Sequence, residues 1–122
     1  MKRLLNMSLA AAALALAACQ SLPPGPVASP VAKRMDVNGV SLAYTEQGRG
    51  SPVVMVHGCC SDSRAWDRQR EAIAQNHRFI ALDQRYWGTS PWPDQGEKYS
   101  VETQIEDLAA FVRQLGTGPV HL

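Results

Sequence analysis

Two short apolar runs constrain the fold more than any other feature of the chain. Residues 53–56 read Val-Val-Met-Val and residues 79–82 read Phe-Ile-Ala-Leu, without a polar side chain in either. A strand with one face in water alternates apolar and polar residues, whereas a strand apolar at every position is covered on both faces. Such strands belong to a sheet with helices on either side. Between the runs, "SDSRAWDRQREAIAQN" reads as a helix capped by Asp62 or Ser63, with Trp66, Ile73 and the stem of Arg70 turned inward. Strand, helix and strand in that order form a βαβ unit, and so part of an α/β protein with a mostly parallel sheet.

The flanks extend this pattern. Upstream, Asn38-Gly39 separates two strand-like runs and is a strong hairpin signal, and Val40, Leu42 and Tyr44 alternate with Ser41, Ala43 and Thr45. Downstream, a long polar and aromatic loop leads to a helix opened by Ser100 and stopped by Gly116. Val101, Ile105, Leu108, Val112 and Leu115 recur along it at helical spacing, and Glu102 sits at its positive end. The closing "PVHL" then reads as the start of a further strand. The predicted order is a hairpin followed by βαβαβ.

The N-terminal third is different. Lys2 and Arg3 precede an apolar, alanine-rich run to Ala18, the layout of a secretory signal peptide and too short for a spanning helix. Its end, Leu16-Ala17-Ala18-Cys19, resembles the bacterial lipobox. That resemblance implies cleavage before Cys19, acylation of Cys19, and, with Gln20 following, an outer-membrane lipoprotein facing the periplasm. Residues 1–18 are then the signal peptide, residues 19–34 a tether with Pro23, Pro24, Pro26 and Pro30, and residues 35–122 a partial α/β domain. Taking Lys2 and Arg3 from the 12 basic residues leaves 10 against 11 acidic ones, with no basic excess to attract nucleic acid. The expected partners are the membrane, through lipidated Cys19, and a small-molecule substrate of the intact protein.

Ligands of open α/β sheets bind beyond the carboxyl ends of the strands. Two motifs stand there: "HGCCSDSRAW", from His57 to Trp66, and "DQRYWGTS", from Asp83 to Ser90. Together they resemble the α/β-hydrolase family, in which a strand ends in His-Gly, a Trp follows some nine residues later, and an Asp-x-Arg-Gly-x-Gly-x-Ser loop leaves the next strand. The resemblance covers about residues 36–122. It implies hydrolysis of an ester, less readily an amide, by nucleophilic acyl transfer without a cofactor or metal. It assigns one oxyanion-hole donor to the backbone N–H of Cys59, supported by His57 and Gly58, the latter allowing a sharp turn. Asp83 is expected to pair with Arg85 and organise the loop.

Two departures from the family pattern stand out. Cys59-Cys60-Ser61 replaces the Gly-Pro or Pro of many relatives, which weakens assignment to the epoxide-hydrolase, dehalogenase and iminopeptidase branches. Tyr86 occupies a usual glycine position, and with Trp87 and Trp92 it either borders a substrate pocket or packs the loop onto the sheet. The three histidines lack metal-ligand spacing, and adjacent cysteines alone cannot chelate zinc. The family's nucleophile elbow, Gly-x-Ser-x-Gly, occurs nowhere in the sequence. Nucleophile, acid and base are therefore expected beyond Leu122, the chain is read as an N-terminal fragment, and these 122 residues alone are expected to be inactive. Two other readings are open at this point: a non-catalytic lipoprotein with a scaffold or binding role, and an epoxide hydrolase, dehalogenase or peptidase branch of the same fold.

Overall fold

The computed structural model describes residues 25–122. The stretch read as a signal peptide, Cys19 and the first part of the Pro-rich stretch lie outside them. The element order is β1 (Val31–Val37), β2 (Val40–Gln47), β3 (Pro52–Val56), a 3₁₀ turn (Ser63–Trp66), α1 (Asp67–Ala74), β4 (Arg78–Leu82) and α2 (Val101–Leu115). Asn38 and Gly39 make the hairpin turn with φ of 45° and 78°, the left-handed pair that a tight two-residue connection needs. β1 starts at Val31, inside the stretch read as tether. Its first residues gain ladder partners, Val31 opposite Glu46 and Ala32 opposite Thr45, so of the described tether residues those from Gly25 to Pro30 lie outside the sheet.

The four strands lie in the order β1-β2-β4-β3. The sheet is mixed: β2 runs antiparallel to both β1 and β4, and β3 runs parallel to β4. On the far side of β3, the closing strand makes a single parallel bridge between Val53 and His121. Val54 N–H donates to His121 O at 2.8 Å and His121 N–H to Pro52 O at 3.0 Å.

β4 explains its own sequence. Ile80 and Leu82 face a core with Val37, Leu42, Tyr44, Val54 and Phe111, while Phe79 and Ala81 face a second core with Ala74, Trp66 and Ile73. Side chains of a strand alternate between faces, so a strand between two helix layers must be apolar throughout. α1 covers one face and α2 the other.

Both helices differ in detail from the sequence reading. The first opens as a 3₁₀ turn, with Asp62 as cap accepting from Arg64 N–H, and becomes α-helical only at Asp67. α2 has the expected caps, Ser100 accepting from Thr103 N–H and Gly116 at φ 64°, but it presents a different face. Phe111 and Asp107 are its buried residues, whereas Val101 and Ile105 are 71% and 61% exposed. Phe111 fills the core edge-on to Tyr44, with ring centroids 5.2 Å apart, and Asp107 meets a buried arginine. These two contacts set the helix rotation, and the stripe through Val101 and Ile105 is left on the flank.

Candidate functional site

β3 and β4 are parallel neighbours, Val56 opposite Leu82, so the loops leaving them emerge side by side at one edge of the sheet. His57, the first residue beyond β3, is 3% exposed and ties the two loops together. Its Nε2 accepts the backbone N–H of Gln84 at 3.1 Å. A backbone N–H can only donate, so Nε2 is unprotonated and Nδ1 carries the proton. Nδ1 then donates to Gly58 O at 2.8 Å, and Gln84 Nε2 donates to His57 O at 2.5 Å. With both ring nitrogens engaged, His57 acts as a clamp between loops and has no free basic nitrogen.

The turn past this clamp falls two residues later than expected. A Cβ on Gly58 would meet no atom within 4 Å, and its φ lies outside the left-handed region. The left-handed position is Cys60, at φ 60°. Gly58 therefore contributes openness, and the sharp bend belongs to Cys60. Cys59 and Cys60 are both exposed free thiols, with their sulfurs 3.3 Å apart. Their mutual hydrogen bond pushes the Cys59 thiol above its usual pKa. Among the described residues, no acceptor engages the Cys59 backbone N–H.

The loop beyond β4 is organised differently from the expected Asp83–Arg85 pair. Arg85, 3% exposed, instead grips Asp107 of α2 through two bonds, Nε to Oδ2 at 2.6 Å and Nη2 to Oδ1 at 2.9 Å. Asn38 Nδ2 adds a third donor to Asp107 at 2.9 Å, and Gln104 Nε2 donates to Arg85 O at 3.1 Å. Hairpin turn, loop and helix are locked at one buried point. Asp83 points the other way and accepts Ser63 N–H at 2.7 Å. It also closes on Gly88, where a Cβ would lie 2.3 Å from Asp83 Oδ2. Strand alternation would put residues 83 and 85 on one face, but the strand ends at Leu82 and the chain turns at Arg85 and Tyr86, so Arg85 meets the Asp107 carboxylate of α2.

Tyr86 takes φ 70° at the position where the resemblance places glycine. Its ring packs against Trp92 at 5.5 Å and Tyr99 at 6.3 Å, and its hydroxyl accepts Lys98 N–H at 3.2 Å. Tyr86 and Trp87 line a cleft of about 400 Å³ together with Cys59, Gly96 and Tyr99. Trp92 does not reach it; it packs behind Tyr86 against the main core. Sequence reasoning missed Tyr99, which stands next to the Ser100 cap, and Asp107, a carboxylate one turn before Phe111 that signals a buried partner. Gln84 was also missed, and nothing in its local sequence marks it. His77 and His121 stack edge to face at 6.1 Å, far from the cleft-lining set. Among the described residues, no serine hydroxyl is hydrogen-bonded to a histidine, and no group of three or more His, Cys, Asp or Glu is placed to hold a metal.

A mixed α/β sheet with two loops clamped by His57 at the carboxyl ends of neighbouring parallel strands is the frame of the site. A family profile described as the alpha/beta hydrolase fold matches residues 51–122, and the chain belongs to that family. It is 44% identical over 79 residues to an epoxide hydrolase of Caballeronia sordidicola, covering 64% of this chain and 24% of that protein. It is 35% identical over 79 residues to bifunctional epoxide hydrolase 2 of Sus scrofa, covering 64% of this chain and 14% of that protein. Among solved structures, an epoxide hydrolase from Vigna radiata superposes with a TM-score of 0.69 at 27% identity, covering 75% of this chain and 30% of that one. The chain thus spans under a third of the length of these relatives.

Proposed function

We propose that the loops after β3 and β4 form the oxyanion wall of a hydrolase site, with the Cys59 N–H as donor. The observation that carries this reading is the His57 clamp, which fixes the loop while the Cys59 N–H stays unengaged beside the cleft. A pre-aimed N–H stabilises charge developing on a substrate oxygen without reorganising when the reaction occurs. None of the described residues is assigned as nucleophile, acid or base of this reaction. The substrate class assigned first is an epoxide, on the likeness to proteins named epoxide hydrolases. A carboxylate nucleophile that opens an epoxide leaves an ester, and hydrolysis of that ester builds an oxyanion for the same donor. The second reading is a carboxylic ester substrate, favoured by Cys59-Cys60-Ser61 in place of the Gly-Pro of many relatives.

The test is turnover of styrene oxide and of p-nitrophenyl acetate by the full gene product. Diol formation from the epoxide is the expected result. Turnover of the ester alone selects the second reading, and turnover of neither sinks the proposal. Cys59→Pro removes the N–H, and kcat should fall by about 10²–10³-fold with the circular dichroism unchanged. Full activity in that variant would remove Cys59 from the oxyanion role.

Membrane attachment belongs to the same proposal. Among the described residues no helix is long and apolar enough to cross a membrane, and acylation at Cys19 would supply the anchor at the envelope. Labelling cells with an alkyne fatty acid should tag the wild-type protein and not Cys19→Ser. Equal labelling of the two would refute the anchor.

A further inference from the structure

We infer that Cys59 and Cys60 form a chelating site for a trivalent arsenic centre carrying one organic substituent, with the aromatic cleft as the seat of that substituent. The inference is independent of the hydrolase reading. It starts from the separation of the two sulfurs, 3.3 Å, with both residues exposed. Two sulfurs that far apart, each bonded to one central atom at about 2.3 Å, subtend an angle of about 90° there. That is the angle of a pyramidal trivalent centre such as arsenic. A tetrahedral zinc ion would hold its sulfurs about 3.8 Å apart and ask for further ligands. A direct disulfide fits less well: neighbouring Cα atoms are about 3.8 Å apart, short of the ~4.4 Å lower limit of ordinary bridges. An inserted atom restores the missing reach.

The ligand count narrows the class further. No third His, Cys, Asp or Glu joins the pair among the described residues, so the third valence must be filled by the ligand itself. Cys59 lines the cleft with Tyr86, Trp87 and Tyr99, and three aromatic rings favour an aryl group over a hydroxyl. The chemistry is a substitution without electron transfer. For R–As(OH)₂, each thiol forms one As–S bond as one As–O bond breaks, and each thiol proton leaves with hydroxide as water. The raised pKa of the Cys59 thiol is no obstacle, since the departing hydroxide carries the proton away.

The experiment uses phenylarsine oxide on the 122-residue chain in a Cys19→Ser background, which leaves Cys59 and Cys60 as the two thiols of these residues. Intact mass should show one phenylarsenic per chain, formed with loss of one water and of both titratable thiols. The adduct should survive excess 2-mercaptoethanol and be stripped by 2,3-dimercaptopropanol. Cys59→Ser and Cys60→Ser should each weaken retention by about 10²-fold or more, the loss that follows when a two-point attachment becomes single. Tyr99→Ala should weaken the phenyl adduct by about 3- to 10-fold and leave a methylarsenic adduct unchanged. Retention in either single-cysteine variant equal to the parent, or displacement by the monothiol, would overturn the chelate. An equal effect of Tyr99→Ala on phenyl and methyl adducts would overturn the assignment of the cleft.

Discussion

Replacing Asp107 by alanine tests the joint that holds the site loop to the rest of the domain. Asp107 and Arg85 are each 3% exposed at the side chain, so neither charge is solvated once its partner is gone. In the folded protein the Asp107 carboxylate accepts two bonds from Arg85 and one from Asn38. Asp107→Ala leaves the guanidinium with weak remaining partners, a 3.4 Å contact from Nη2 to Asn38 O and the neighbouring Tyr86 side chain, and breaking a buried pair from one side costs about 3–5 kcal/mol. That is a large share of the roughly 5–15 kcal/mol that holds a domain together. Asp107→Asn keeps the shape and one acceptor oxygen and should cost about 1.5–3 kcal/mol, the range for a hydrogen bond to a charged group. Urea unfolding followed by tryptophan fluorescence reads both, since Trp87 and Trp92 sit on the loop in question.

Two further arms separate burial from surface electrostatics. The loss should persist at about 1 M salt, because a dry pair is screened far less than an exposed one. Joint replacement by Arg85→Met and Asp107→Leu should recover most of the stability, since an apolar pair of similar volume has no desolvation cost. A loss below about 1 kcal/mol for Asp107→Ala, in the range of exposed ion pairs, would refute the argument. So would a double replacement as damaging as the single one.

Three other outcomes follow from the site geometry. Gly88→Ala puts a Cβ 2.3 Å from Asp83 Oδ2 at φ 75°; it should destabilise by about 1–3 kcal/mol, with faster exchange of the Ser63 amide as Asp83 is displaced, and unchanged exchange would speak against that contact. The His57 tautomer is open to ¹⁵N NMR, which should report a protonated Nδ1 and a bare Nε2, while His57→Leu should cost about 1–3 kcal/mol by orphaning the Gln84 N–H; the opposite tautomer would undo the clamp. Asp62, bonded to Arg64, titrates at about 2 instead of 3.8. A depressed folded pKa gives stability that is whole above pH 3.8 and is lost as pH falls through about 2, so Asp62→Asn should flatten the acid limb of the unfolding curve there, and an unaltered limb would remove this pair from the pH response.

The sheet was legible because its cause is local and repetitive. β4 lies between two helix layers, so each of its residues from Phe79 to Leu82 had to be apolar, and that shows without knowledge of any partner. The hairpin was legible for a similar reason, since Asn38-Gly39 supplies the left-handed pair within two residues. Arg85 shows where such reasoning ends. Its nearest carboxylate in sequence is Asp83, but the pairing depends on where α2 packs, and that depends on Phe111 entering the core beside Tyr44. The exposed Val101 and Ile105 follow from the same rotation: periodicity gives a helix its apolar stripe, and the tertiary contact decides which stripe is buried. The cleft is one step further removed. Tyr86 and Trp87 were visible as bulk at a glycine position, but their direction is set by the positive φ of Tyr86 and by Tyr99, thirteen residues further along the chain. A site built by two loops from neighbouring parallel strands is a property of their register, and the residue that fixes it, Gln84 against His57, carries no sequence pattern of its own.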